Sequence, residues 1–132
     1  MAARNASFAD VGPDVPIASL VRLPPVRARA REGVLETEVT YVDSFGNLRL
    51  AGGADELAAA FGSLQPARQL RARVDGVDIG TALLVPSFGH VEDGATLLYV
   101  DSTGDLALAI SQGDLAARTG ATTGAAVVFD LP

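Results

Sequence analysis

No cysteine occurs in this 132-residue chain, which excludes disulfides, thiolate metal sites and cysteine nucleophiles and leaves packing to hold the fold. Lysine is missing too, so all ten basic residues are arginine. Histidine appears once, as His90 in "SFGHVEDG", where a loop residue is a plainer reading than a general base. There is no glycine-rich phosphate loop and no cluster of metal-ligand residue types. The sequence therefore assigns no catalytic residue, no metal ligand and no cofactor. Clustered positive charge is scarce as well. The net charge is −6, and Arg27, Arg29 and Arg31 in "PPVRARAREG" form the one tight basic run, read as a solvated face. A nucleic-acid surface needs more than that. No run approaches the ~20 apolar residues of a membrane span, and "MAARNASFADVG" lacks the apolar core of a secretory signal, so the expected location is cytoplasmic, away from membranes.

What is present is enough apolar residue, 48% of the chain, to bury one core. A repeated phrase is present as well. "YVDSFGNLRLAGGADELAAAFG" (41–62) returns fifty-eight residues later as "YVDSTGDLALAISQGDLAARTG" (99–120), with twelve of 22 ungapped positions identical. A duplicated structural unit is the simplest cause. Residues 1–33 hold four of the seven prolines and one apolar stretch, "IASLVRL", and read as an extended connector docking on a domain that occupies 34–132.

From Val34, "VLETEVTYVD" alternates like a strand, placing Leu35, Thr37, Val39, Tyr41 and Asp43 on one face. In each copy a turn follows, with Gly46 or Gly104 at a position suited to positive φ, then a second strand and a short helix. Leu57 and Leu115 should face inward, and Gly62 and Gly120 should end the helices. "RQLRARVDGVDIG" supplies a further hairpin through Asp75-Gly76, and "GATLLYVD" and "GAAVVFDLP" further strands. About seven short strands with one or two short helices predict an all-β fold, a small closed antiparallel β-barrel whose closure removes exposed edges.

Asp43 and Asp101 stand at matching turn positions, where turn capping is the commoner role and ligand binding the alternative. Asn47 carries an amide able to donate and accept toward a base edge. Phe45 faces Thr103 across the repeat alignment, and an aromatic at a hairpin tip must pack on the core, a neighbouring subunit or a planar ligand.

"VTYVDSFGNL" resembles the V-x-x-x-D-x-F-G-N-L signature in the C-terminal domain of S-adenosylmethionine hydroxide adenosyltransferases, the group that includes fluorinases and chlorinases. "LVPSFGHVEDGATLLYVDSTGDLALAISQGDLAARTGATTGAAVVF" resembles that domain's second half, and "VGPDVPIASLVRLP" its interdomain connector. The resemblance implies a β-barrel that binds S-adenosylmethionine, as substrate, or adenosine, between itself and the N-terminal domain of a neighbour in a homotrimer. By motif, Asp43 would meet the methionine ammonium, Asn47 the adenine edge and Ser102 the methionine carboxylate, with Phe45 and Phe88 walling the adenine. Thr103 stands where some relatives carry arginine, which favours a hydroxide-type over a halogenase-type parent, and Asp101 replaces a frequent asparagine. By the same resemblance, the ribose-binding and water-activating residues belong to an N-terminal domain absent from this sequence, excised from it or supplied as a separate chain. The expectation is thus a binding domain, inactive alone, of an enzyme converting S-adenosylmethionine to adenosine and methionine. The alternative is a stand-alone β-barrel interaction module without ligand binding.

Overall fold

Alternation of apolar and polar residues from Val34 onward makes sheet the cheapest way to bury the leucines and valines of this chain, and the computed structural model shows how that sheet closes. It describes residues 7–22, 27–63, 65 and 67–132; the parts of the expected connector at 1–6 and 23–26 lie outside the described residues. The elements in chain order are β1 (Arg29–Arg31), β2 (Val34–Val42), β3 (Leu48–Leu50), α1 (Ala54–Phe61), β4 (Arg68–Val74), β5 (Val77–Leu84), β6 (Thr96–Val100), β7 (Leu106–Ile110), α2 (Leu115–Thr119) and β8 (Ala126–Asp130). Short 3-10 turns lie at Phe8–Asp10, Ile17–Ser19 and Phe88–His90.

Seven strands form a ring in the order β2-β3-β7-β6-β5-β4-β8, closed by pairing of β8 back onto β2, while β1 lies along the first half of β2. The closed barrel of about seven strands with two short helices is the architecture the sequence predicts. One pair departs from the expected antiparallel arrangement. β5 and β6 run parallel, through Ala82↔Thr96, Leu83↔Leu97 and Leu84↔Leu98, so the barrel is mixed. The intervening residues cross over the outside of the sheet instead of turning tightly. There they help cover a small second apolar cluster of Val85, Leu97 and Ala109, with Leu83, Val91 and Tyr99 packed against it.

The main core fills the barrel with Leu35, Leu48, Leu50, Leu70, Leu98, Leu106, Leu108, Val127 and Phe129, and both helices close on it through Leu57 and Leu115. Complete burial of a leucine or phenylalanine stabilises by about 1.5–3 kcal/mol, and in a chain without disulfides this term must carry the fold. Gly62 and Gly120 do cap the two helices, and the Asp75-Gly76 pair makes the expected tight β4–β5 turn, both residues having positive φ.

The repeat has a geometric meaning. β3 and β7 pair through Leu48↔Leu108, Arg49↔Ala107 and Leu50↔Leu106, while the repeat aligns Leu48 with Leu106, Arg49 with Ala107 and Leu50 with Leu108. The two copies are therefore related by a pseudo-twofold axis through the Arg49–Ala107 pair.

One expected face is wrong in its second half. Leu35, Thr37 and Val39 are buried, but Tyr41 is 56% exposed, and Val42 packs on the core instead. The cause is a bulge between Val39↔Leu50 and Tyr41↔Arg49, where Thr40 is the extra residue and inverts the alternation. Tyr41, and Asp43 two residues on, thus leave the core face for the outer face of the barrel, the side on which the charged Arg49 lies.

Candidate functional site

Both repeat turns are built by an aspartate bonding its own backbone. In the first, Gly46 N donates to Asp43 O (3.1 Å), and Asp43 Oδ1 accepts from Phe45 N (2.8 Å) and Asn47 N (3.0 Å). Asp43 Oδ2 accepts from Asn47 Nδ2 at 2.9 Å, which fixes the orientation of that amide. In the second, Gly104 N donates to Asp101 O (3.0 Å), and Asp101 Oδ1 accepts from Thr103 N (2.8 Å), Thr103 Oγ1 (2.6 Å) and Asp105 N (3.2 Å). Turn capping is thus a real function of both carboxylates. It does not exhaust Asp43. A carboxylate offers about four lone-pair sites, and three are occupied, leaving one on Oδ2 for a further donor.

Each turn docks against the other copy's helix. Gly46 is buried at the start of α2, where its carbonyl accepts from Ala116 N (2.9 Å) and its α-carbon faces Asp114, which caps α2 by accepting from Ala117 N (2.7 Å). Correspondingly, the carbonyl of Gly104 lies beside Gly53, the N-cap of α1.

Between the turns runs a row of paired residues, Tyr41, Arg49, Ala107 and Tyr99, on four successive strands. Arg49 Nη1 lies 2.9 Å from Asp101 Oδ2 and 3.4 Å from Thr103 Oγ1. The Asp101 side chain is 8% exposed and that of Arg49 38%, so the pair sits at the margin of solvent rather than free in it. Tyr99 packs edge-on against Phe88, with centroids 5.3 Å apart and planes at 61°.

Burial lifts the Tyr99 hydroxyl above its ordinary pKa, and the charges of Asp43 and then Asp101 lift it further, against an opposing pull from Arg49. Both turns therefore act on one phenol. For Asp43 and Asp101 themselves burial is the largest influence and would raise the pKa, but the bonds they accept, from Asn47 and Phe45 in one case and Thr103 and Asp105 in the other, together with the charge of Arg49, hold both below the usual carboxylate value.

A depressed folded-state pKa contributes stability that is fully present above the unfolded value of about 3.9 and is lost as pH falls through the folded value. Thermal melts should accordingly show a midpoint flat above about pH 5 and falling below about pH 4, with Asp43→Asn and Asp101→Asn each reducing the acid slope. Slopes unchanged in both variants would mean that neither carboxylate is held by its turn.

The structure thus brings Asp43, Asn47, Asp101, Thr103 and, through Tyr99, Phe88 to one outer surface. Ser102 is exposed between Asp101 and Thr103, and its hydroxyl makes no protein hydrogen bond among the described residues. Phe45 is 76% exposed at the tip of the first turn, which removes core packing from its possible roles. His90 is exposed, with Nδ1 3.0 Å from Ser87 Oγ. No group of three or more metal-ligating side chains and no helix long and apolar enough to cross a membrane occurs among the described residues.

Two members of the surface, Arg49 and Tyr99, are not singled out by the sequence analysis. In an alternating strand an arginine reads as a solvated side chain and a tyrosine as core. The signal that could have found Arg49 is its mismatch with Ala107 at the centre of an otherwise matching stretch.

Residues 37–128, the stretch that carries both turns and both helices, match the SAM hydroxide adenosyltransferase C-terminal domain. The chain belongs to that family. Among curated relatives, this member is 38% identical over 122 residues to an (R)-S-adenosyl-L-methionine hydrolase of Salinispora tropica and 32% identical to one of Salinispora arenicola, each alignment covering 92% of this chain. The chain spans 42% of the length of each of these relatives. Solved structures share the family fold. An uncharacterized conserved protein of Thermotoga maritima superposes with a TM-score of 0.79 at 24% identity, over 96% of this chain and 46% of that one. A conserved hypothetical protein of Thermus thermophilus gives 0.56 at 28% identity, over 90% and 43%.

Proposed function

We propose that this chain is a binding domain for S-adenosylmethionine or its adenosine portion, serving an enzyme that hydrolyses S-adenosylmethionine to adenosine and methionine. The observation that carries this reading is the meeting of the two aspartate-built turns on one surface around Arg49 and Tyr99. Asp43 has one acceptor site left for an ammonium. Asn47, tethered through Nδ2, keeps its carbonyl for the adenine amino group, and Ser102 has a hydroxyl to offer a carboxylate. Phe45, exposed at the tip, and Phe88, half-exposed beside Tyr99, provide apolar faces for the base. The hydrolase names of the Salinispora relatives support the reaction class.

On this reading the residues described hold substrate and the water-activating groups come from an N-terminal half, contributed across a homotrimer interface, in a cytoplasmic enzyme that needs no cofactor. Thr103 after Ser102 favours hydroxide over halide chemistry.

Calorimetric titration tests this with S-adenosylmethionine and adenosine, on the chain alone and on a chimera in which it replaces the matching segment of the Salinispora tropica hydrolase. Binding is expected, and Asn47→Ala should weaken adenosine by on the order of 1–3 kcal/mol with an unchanged melting temperature, since a base-edge amide is lost from a surface turn. Silence in both formats leaves a stand-alone interaction barrel. A lowered melting temperature with unchanged affinity reduces Asn47 to a turn residue.

A further inference from the structure

We propose that Arg49 is a positioning residue that makes the second turn receptive to a carboxylate by neutralising Asp101, an inference that rests on the binding function proposed above. The problem it solves is visible in the geometry. Ser102 is the group of the second turn available to a ligand carboxylate, since the Thr103 N–H and hydroxyl both bond Asp101 Oδ1, and the residue immediately before Ser102 is itself a carboxylate whose Oδ1 organises the turn. Asp101 Oδ1 accepts three bonds from Thr103 and Asp105, so a side chain without an acceptor there would open the turn, while an asparagine Oδ1 would keep it. Its Oδ2 is buried, with Arg49 Nη1 2.9 Å away. An uncompensated negative charge so close to the binding position would repel an anionic ligand group, and at the margin of solvent that repulsion is only partly screened.

Arg49 is placed to cancel it. The residue sits on the pseudo-twofold axis, on a strand flanked by both turns, and its Nη1 reaches the second turn at both Asp101 and Thr103. Its repeat counterpart is Ala107, which is buried and carries no charge, so the axis holds a single cation that the duplication alone does not account for. The first turn is different. Asp43 keeps an open acceptor site and, among the described residues, feels the charge of Arg49 without forming an ion pair with it, which suits an ammonium. The Arg49–Asp101 pair thus compensates the buried carboxylate next to Ser102. It leaves the second turn with Asp105, exposed and accepting from Thr103 Oγ1, as its remaining, solvent-screened charge, whereas in the first turn Asp43 itself faces the ligand position.

The inference separates ligands with a carboxylate from those without. In the chain and in the chimera described above, Arg49→Ala should raise the Kd for S-adenosylmethionine about tenfold and leave adenosine within about twofold. Asp101→Asn alone should bind S-adenosylmethionine at least as well as the unsubstituted chain. The double variant Arg49→Ala/Asp101→Asn should recover to within about threefold of it, because removing the opposite charges together leaves the net charge of the turn unchanged. Two results would overturn the assignment. Equal loss of adenosine and S-adenosylmethionine in Arg49→Ala would make the residue merely structural. A double variant as weak as Arg49→Ala would mean that the guanidinium holds the carboxylate itself. No binding by the unsubstituted chain and chimera would sink the proposed function, and this inference with it, and is told apart from both because it appears before any substitution is made.

Discussion

Gly46→Ala is expected to destabilise the chain by about 3 kcal/mol and Gly104→Ala, the same substitution in the other copy, by about 1 kcal/mol. Both glycines have positive φ, +80° and +92°, so any L side chain is strained at either position. Their surroundings differ. A Cβ on Gly104 meets nothing within 4 Å, whereas one on Gly46 would lie 1.8 Å from Asp114 Oδ1 and 2.3 Å from its Cγ. Asp114 cannot yield freely, because it caps α2 through Ala117 N, and Gly46 also accepts from Ala116 N. The extra cost is therefore a lost cap and an undocked turn, added to backbone strain. Chemical denaturation of the two variants measures it. Equal losses would show that the contact between the first turn and α2 is incidental to the fold.

Asp43→Ala is expected to weaken S-adenosylmethionine binding by about a hundredfold, more than any other single substitution at the surface. Two effects combine. The variant removes the anion available to the ligand ammonium, and it releases the Asn47 amide, whose orientation depends on Asp43 Oδ2. Asp43→Asn separates them. An amide oxygen can still accept from Phe45 N and Asn47 N, so most of the turn survives while the charge is lost. The asparagine variant should therefore lose S-adenosylmethionine while retaining adenosine to within about threefold, whereas the alanine variant should lose both. Calorimetry on the two ligands decides it, and full affinity in Asp43→Ala would confine Asp43 to turn capping.

The turns, the helices and the closed barrel were legible because each is written in short-range chemistry. Asp-Ser-x-Gly names the turns, Leu57 and Leu115 name the inward helix faces, and Gly62 and Gly120 end the helices. Three features were not legible, for one physical reason: they depend on what lies across the sheet. The bulge at Thr40 leaves "TEVTYVD" alternating on paper while the partner strand, through Tyr41↔Arg49, inverts its faces. The parallel pairing of β5 and β6 depends on where the crossover lands, and "VPSFGHVEDGA" reads equally well as a loop between antiparallel strands. Arg49 looked like a solvent-facing residue because its partner Asp101 lies two strands away in the ring and far along the chain. Within the site, the sequence named the residues of the turns themselves, and the row joining them came from the sheet.

The position of β8 sets a timetable for folding. Phe129 is paired on one side with Leu35 and on the other with Ala72, so a single strand near the far end of the sequence closes the ring. During synthesis the residues of β2 and β4 precede Ala126–Asp130, and wherever they pair with their other neighbours first, each presents an open row of backbone donors and acceptors beside apolar side chains until β8 docks. Joining such distant segments requires a large loop-closure entropy to be overcome before the contacts reward it, which makes the final step slow. The interval before β8 docks is therefore when a nascent chain is most exposed to strand addition by a neighbour, and charge reversal or proline on the outer face of β8 would lengthen that interval even where the finished barrel tolerates it.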